Sequence, residues 1–324
     1  MTGSTTAAQA PPAPQSRRIE IGLLAVLGAD VSFSISSTLV KWADTPGAVI
    51  AFWRMVGAVI VWWAVIGVRR VTTGTPPPSA TTWRSVLPAG LFFGVNISLF
   101  FTAITKTSIA HAEFITSLAP FALVPVGALL FGEQPRWRAL RWGAVSLVGI
   151  AIVLAFGPAN GDASVGGDAL VVVVVGTWVG YMITGRRARA SVDVVDFMAT
   201  MMPIGLLTAV PMALLLAADD IFPLSAKAWA ASAMLTVLTG VVAHGLIAFA
   251  QREVDVGTIS VIQVSQPALA VGWAMLLLRE DVRAAQVPGM ALVLLGLLAF
   301  TLASRRPADR VAGNDTGELA GPAG

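Results

Sequence analysis

Ten times along the chain a stretch of roughly twenty residues runs almost without charge, near 19–40, 47–68, 84–105, 108–131, 138–156, 167–185, 194–217, 228–250, 257–278 and 286–304. A bilayer core of about 30 Å takes about 20 helical residues to cross, and inside it the backbone must bond to itself. The runs are therefore expected as transmembrane helices. Composition agrees: 56% of the residues are apolar and 12% charged, with a mean hydropathy of +0.78. That is too apolar for a water-soluble domain of 324 residues. The breaks carry turn chemistry, as in T-T-G-T-P-P-P-S after run two, G-P-A-N-G-D after run five and A-D-D-I-F-P after run seven. Residues before Arg17 and after Ser304 are small, polar and rich in Pro or Gly, and are expected to be disordered. The first run has no small-residue cleavage site and is longer than a signal-peptide core, so it reads as a retained span.

The ten runs are two sets of five. E-F-I-T-S-L-A-P-F-A-L-V-P-V-G-A-L-L-F-G-E, from Glu113 to Glu133, has its counterpart in S-V-I-Q-V-S-Q-P-A-L-A-V-G-W-A-M-L-L-L-R-E, from Ser260 to Glu280. Pro120 and Pro267, Glu133 and Glu280, and Gly149 and Gly296 each stand 147 residues apart. Three marks at one offset indicate an internal duplication.

Charge sets the orientation. With the N-terminus in the cytoplasm, fifteen of the 21 Lys and Arg face inward, from Arg17 and Arg18 to Arg305, Arg306 and Arg310. Five face outward (Lys41, Lys106, Lys227, Arg279, Arg283), and Arg54 lies inside a span. This bias puts both termini in the cytoplasm. It also explains a pI near 9.9 without nucleic acid, since the basic residues sit in short clusters between apolar runs. Five spans per half is an odd number, so the second copy enters the membrane inverted. The expected fold is all-α, ten transmembrane helices as two inverted five-helix repeats. The segments are a cytoplasmic tail (1–18), a first repeat (19–156), an external linker (157–166), a second repeat (167–304) and a cytoplasmic tail (305–324). Inverted repeats typify secondary transporters, whose substrate sits near the midplane between the halves.

Two five-helix halves, each with a Pro-containing helix that reaches a glutamate thirteen residues later and a Gly-rich last helix, resemble the EamA-type branch of the drug/metabolite transporter superfamily over residues 19–304. In the second half Arg279 stands where the first has Gly132. The resemblance implies a carrier of amino acids, metabolites or drugs in a bacterial-type cytoplasmic membrane, often working outward.

Ionisable and polar groups inside the spans are the candidate site, because each costs several kcal/mol unless partnered or used. Asp30 and Arg54 reach similar depths from opposite ends of spans one and two. They are expected either to pair with one another or to meet a charged group of the substrate. Glu113, Thr116, Ser117 and Pro120 follow i, i+3, i+4, i+7 spacing on one helix face, and Ser260, Gln263 and Pro267 occupy the matching positions in span nine. Glu113 reads as a substrate contact, a structural carboxyl or a proton-coupling group, with His111 two residues away as a relay on another face. The prolines free backbone carbonyls or simply bend their helices. His244 and Asn96 suit interhelical hydrogen bonds as well as ligand contact. Trp178 and Tyr181, at i, i+3 beside the G-x-x-x-G of Gly176 and Gly180, offer either an aromatic wall or packing. Glu133 and Glu280 close their helices at the membrane edge as gate candidates, with arginines such as Arg283 as expected partners.

No phosphate-binding loop of the form G-x-x-x-x-G-K-[ST] and no hydrolase or metal-ligand signature occurs in the sequence, so no cofactor is expected. With no cysteine there is no disulfide. The expectation is a lipid-embedded monomer or homodimer that moves a small molecule by alternating access, coupled to protons or to exchange. A passive channel is the alternative, ahead of a membrane enzyme or an interaction scaffold.

Overall fold

A computed structural model of the chain describes residues 15–131, 141–156, 163–253, 263 and 265–304. Glu133 and Ser260 lie outside the described residues. Among the described residues the chain is helical throughout, with six helices long and apolar enough to cross a membrane and four shorter apolar ones. We number the helical runs in chain order. α1 comprises Gln15–Ser34 and Ser36–Trp42; α2 is Gly47–Thr73 and α3 Ala80–Ile104. α4 comprises Ile109–Thr116 and Ala119–Phe131, and α5 is Arg141–Ala155. α6 is Val165–Arg189 and α7 Val194–Ala217; α8 runs Ala226–Leu235, Thr236–Ala243 and His244–Glu253. α9 runs Gln266–Trp273 and Ala274–Leu278, and α10 is Val287–Ser304.

Local sequence explains where these helices begin. Ser79, Ser108, Ser164 and Ser225 each stand before a helix and accept a hydrogen bond from the backbone N–H three residues on, and Asp193 does the same for Val195 and Asp196. Each satisfies an amide that the first turn leaves without a partner. At the far end of α2, Gly74 takes φ +69° and returns its N–H to Arg70 O, the left-handed ending that glycine allows without strain.

Polarity runs opposite to that of a water-soluble bundle. Large apolar side chains such as Leu24, Val68, Val71, Leu214, Leu215 and Leu276 are exposed, while Asp30, Arg54, Asn96, Glu113 and His244 are buried. An apolar exterior of this kind suits lipid.

The helices confirm the duplication. α3 packs on α6 as α8 packs on α1, α3 on α7 as α8 on α2, and α4 on α6 as α9 on α1. α2 and α7, α4 and α9, and α5 and α10 each pack on their own counterparts. Exchanging the halves therefore returns the same pattern, as a pseudo-two-fold axis requires. At that axis Ser146 Oγ donates to Val293 O at 3.2 Å, and the two residues are 147 apart, so each is the other's repeat mate. Here α5 and α10 approach so closely that a Cβ on Gly149 would stand 2.6 Å from Gly289 O, and one on Gly296 2.9 Å from Trp142 O. These two contacts are also images of one another at the 147-residue offset.

Three spans expected to be continuous are broken. α1 pauses at Ile35 within a serine-rich run, where Ser32 and Ser34 return their hydroxyls to Gly28 O and Val31 O at 2.8 Å each, bonds that compete with the helical ladder. α4 pauses at Ser117 and Leu118, directly before Pro120, which has no N–H for the carbonyl of Thr116. α9 resumes at Gln266 after a turn at Ser265, as α4 resumes at Ala119, 147 residues earlier. α8 instead widens to a π-helical stretch over Thr236–Ala243, and the indole N–H of Trp62 meets Gly240 O there at 3.1 Å.

Candidate functional site

The broken helices meet, and side chains from different helices tie them together at the breaks. Ser37, just beyond the pause in α1, donates its hydroxyl to Glu113 Oε1, just before the pause in α4. Gln266, where α9 resumes, reaches the same carboxyl. Ser265 at the turn before α9 donates to Asp30 Oδ2 at 2.6 Å, and Trp273 Nε1 donates to Ser34 Oγ at 3.1 Å. α1, α4 and α9 are thus joined through two buried carboxyls.

Beside this knot lies a cavity of about 180 Å³. Its wall draws on both halves: Phe33 and Ser36 from α1, Arg54 from α2, Asn96, Phe100 and Phe101 from α3, and Glu113, Thr116 and Ser117 from α4. Val174, Trp178 and Met182 of α6, Thr239 and His244 of α8, Gln263, Gln266 and Pro267 around the start of α9, and Leu297 of α10 complete it.

Arg54 is 0% exposed. Its Nε donates to Thr239 Oγ1 at 2.8 Å, and the guanidinium carbon lies 5.8 and 5.7 Å from the ring centres of Phe93 and Phe101, within cation–π range. Nη1 faces Met55 Sδ at 3.9 Å, and Nη2 has no hydrogen-bond partner among the described residues. The widened stretch of α8 carries Thr239 to Arg54, and Thr236 Oγ1 donates to Arg54 O at 3.2 Å. Asn96 Nδ2 donates to Val174 O and Thr177 Oγ1 at 2.9 Å each, fastening α3 to α6 beside the cavity. His244 stands edge-on to Phe33 and Phe93, both with ring centres at 4.8 Å, and its Nε2 has no partner among the described residues.

Of the residues singled out by sequence, Arg54, Asn96, Glu113, Thr116, Ser117, Trp178, His244, Gln263 and Pro267 line this cavity. Asp30, His111, Tyr181 and Glu280 lie elsewhere. Asp30 and Arg54 do not pair, because Asp30 turns to α9 and Arg54 to α8; equal depth along two helices says nothing about the direction each side chain takes around its axis. His111 stands apart from the cavity, with Nδ1 3.1 Å from Asp168 Oδ2 at the start of α6, where Thr107 also donates to Asp168. It therefore relays nothing to Glu113 in this arrangement. Tyr181 sits behind the wall, its ring 5.2 Å from that of Trp178 and 5.3 Å from that of Phe93. Gly180 packs on Phe92, while Gly176 meets nothing within 4 Å, so the G-x-x-x-G pattern makes only half a helix contact. Pro120 lies in the resumed part of α4, and its side chain is outside the described residues.

Glu280 has partners other than the expected arginines. Its Oε2 is 3.5 Å from Lys41 Nζ, and its Oε1 accepts the N–H of Ile109 at 2.9 Å. The second half thereby caps the first turn of α4 in the first half, where a carboxylate is favoured.

Sequence reasoning passed over Phe33, Phe100, Phe101, Thr239 and Gln266. An aromatic in an apolar run carries no mark of which way it faces. Gln266, a polar residue beside the repeated proline, did carry one.

A duplicated bundle of apolar helices, broken where the halves meet around a partly polar cavity, has the architecture of a multi-pass membrane transporter. The chain belongs to the EamA-like transporter family, whose model matches residues 20–155 and again 165–302, once for each half. A solved structure titled "Crystal structure of protein" shares 19% identity and superposes with a TM-score of 0.60, covering 89% of this chain and 98% of that one; the likeness is one of fold. No curated protein matches the chain.

Proposed function

We propose that the protein is a secondary carrier that exports a small organic solute across the cytoplasmic membrane, crossing it ten times with both termini inside. The observation that carries this reading is the cavity at the meeting of the two repeats, walled by both and bordered by three broken helices. Inverted repeats alternate access by rocking one against the other around a fixed site formed at interrupted helices, and this cavity has that setting. Glu113 supports coupling to protons: it faces the cavity, and its oxygen is held by Ser37 of α1 and approached by Gln266 of α9. A proton or a substrate at that carboxyl would change how three helices are tied. Exchange of one solute for another is the other drive this cavity supports.

Counterflow in proteoliposomes tests the reading, with candidate solutes screened with and without a pH gradient. A carrier gives saturable exchange that an excess of unlabelled solute on the far side accelerates. Flux that rises linearly with concentration and shows no exchange would identify a passive channel. Acceleration by the gradient that Glu113→Gln abolishes assigns the coupling to that residue; a gradient response that survives the substitution removes Glu113 from it.

A further inference from the structure

The cavity wall is unbalanced in one respect. Arg54, wholly buried, has used Nε on Thr239 and turned Nη1 to a sulfur, and Nη2 bonds to nothing among the described residues. Glu113, the wall's carboxylate, is engaged by Ser37 and Gln266, and no ion pair joins it to Arg54 among the described residues. A guanidinium removed from water with an open donor is a costly arrangement, and the stabilising complement is an acceptor that carries negative charge. Beside polar residues such as Asn96, Thr116 and Gln263, the wall carries the aromatic side chains of Phe33, Phe100, Phe101 and Trp178.

We infer that the cavity binds an organic monoanion, a carboxylate on an apolar body of about one aromatic ring, with the carboxylate at Arg54 and the body against these aromatic side chains. The inference rests on the reading of the cavity as the transport site and names its substrate class. Charge is limited to one because Arg54 is the one Lys or Arg among the described lining residues, so a monoanion balances it and a dianion leaves one buried charge uncompensated. The volume suits that size. A dry apolar cavity of about 150 Å³ holds benzene, and this one measures about 180 Å³, so a ring with a short acidic arm fits.

The test is equilibrium binding to the purified full-length chain in lipid nanodiscs, read by calorimetry and by quenching of tryptophan fluorescence. The probes share one ring and chain length and differ in head group: 3-phenylpropionate, 3-phenylpropanol, 3-phenylpropylamine, phenylalanine and benzylmalonate, which carries a second carboxylate. The inference requires saturable binding of 3-phenylpropionate at least tenfold tighter than of the alcohol and the amine, and weaker binding of the benzylmalonate dianion. It is overturned by equal affinity for acid and alcohol, by tighter binding of the amine or of benzylmalonate, by absence of binding, or by tighter binding of phenylalanine, which would mean an ammonium is recognised as well. Arg54→Gln should weaken the acid at least tenfold and leave the alcohol unchanged, and Arg54→Lys should keep part of the preference. Should Arg54→Gln not fold, the head-group series on the unaltered chain decides alone. Counterflow with labelled 3-phenylpropionate separates the two layers. Selective binding without counterflow would sink the carrier reading and leave the anion site standing. Counterflow of another solute, with no selective binding of the acid, would sink the anion site and leave the carrier.

Discussion

Arg279 is the residue at which the two repeats differ most tellingly. It ends α9 with φ +56°, in the left-handed region, and the N–H of Glu280 returns from there to Ala274 O at 3.2 Å. The first half has Gly132 at this position, the residue that adopts such a conformation without strain. Arg279→Gly should therefore stabilise the protein by about 0.5–1 kcal/mol, seen as a higher midpoint in thermal unfolding in detergent; an unchanged or lower midpoint would mean that the arginine side chain offsets its backbone strain. The counterpart of Glu113–Glu133 was legible in Pro267 and Glu280 at the common offset. The left-handed end at Arg279 was not, because arginine, unlike glycine, announces nothing of the kind. Asp193, just outside α7, allows a pH test. Partial burial works to raise its pKa, but the N–H groups of Asp196 and Val195 and the guanidinium of Arg69 outweigh this and hold it below the usual carboxylate range. A lowered pKa contributes stability at neutral pH that is lost as pH falls through the folded-state value. Asp193→Asn keeps the helix cap and removes the charge, so it should flatten the acid limb of midpoint against pH. The effect should be small, since the pair with Arg69 is partly exposed, and a limb of unchanged slope would exclude Asp193 as its source.

Among the elements, α5 and α10 depend on close approach at repeat-related glycines. A Cβ on Gly149 would lie 2.6 Å from Gly289 O and 2.8 Å from Val293 N, both rigid backbone atoms, so the helices must part to admit it. Gly149→Val should destabilise by about 1–3 kcal/mol and lower the unfolding midpoint, whereas Gly67→Ala on α2, where nothing lies within 4 Å, should hold or raise it. Equal responses would show that the α5–α10 seam does not limit stability. The repeat of Gly149 and Gly296 was plain in the sequence; that each glycine meets the opposite half at an equivalent place needed the coordinates. In α4 the proline marked a carbonyl left unbonded, but the span was expected to run on with at most a bend. The pause in α1 and the widened turn in α8 had no such mark. Serines that bend α1 are also common in unbent helices, and a π-helical stretch follows from packing, here the seating of Arg54 and Trp62 against Thr239 and Gly240. This is why the sequence picked out Glu113, Thr116, Ser117 and Gln263, which share the wall, and missed Thr239, which the widened stretch brings to it.

At the scale of the whole molecule, the two halves exchange contacts as a two-fold demands, and an inverted duplication accounts for this only if each half crosses the membrane an odd number of times. The number of crossings and the side each end occupies are therefore linked. If each half crosses five times, both termini lie on one side and the linker between the halves on the other. In the proposed topology the termini lie in the cytoplasm, the side that the distribution of Lys and Arg favours. The chain has no cysteine, so single cysteines report their own surroundings without further engineering. Ser4→Cys, Ala163→Cys and Ala308→Cys, each in an otherwise unaltered chain, should label differently with a membrane-impermeant maleimide applied to intact cells. Ala163→Cys should react from outside, and Ser4→Cys and Ala308→Cys only after the membrane is opened. External labelling of Ser4→Cys or Ala308→Cys alone would put the termini on opposite sides, give the chain an odd number of crossings and end the inverted reading. Labelling of both from outside, with Ala163→Cys protected, would keep the two inverted repeats and reverse their direction in the membrane, so that the basic loops no longer set orientation.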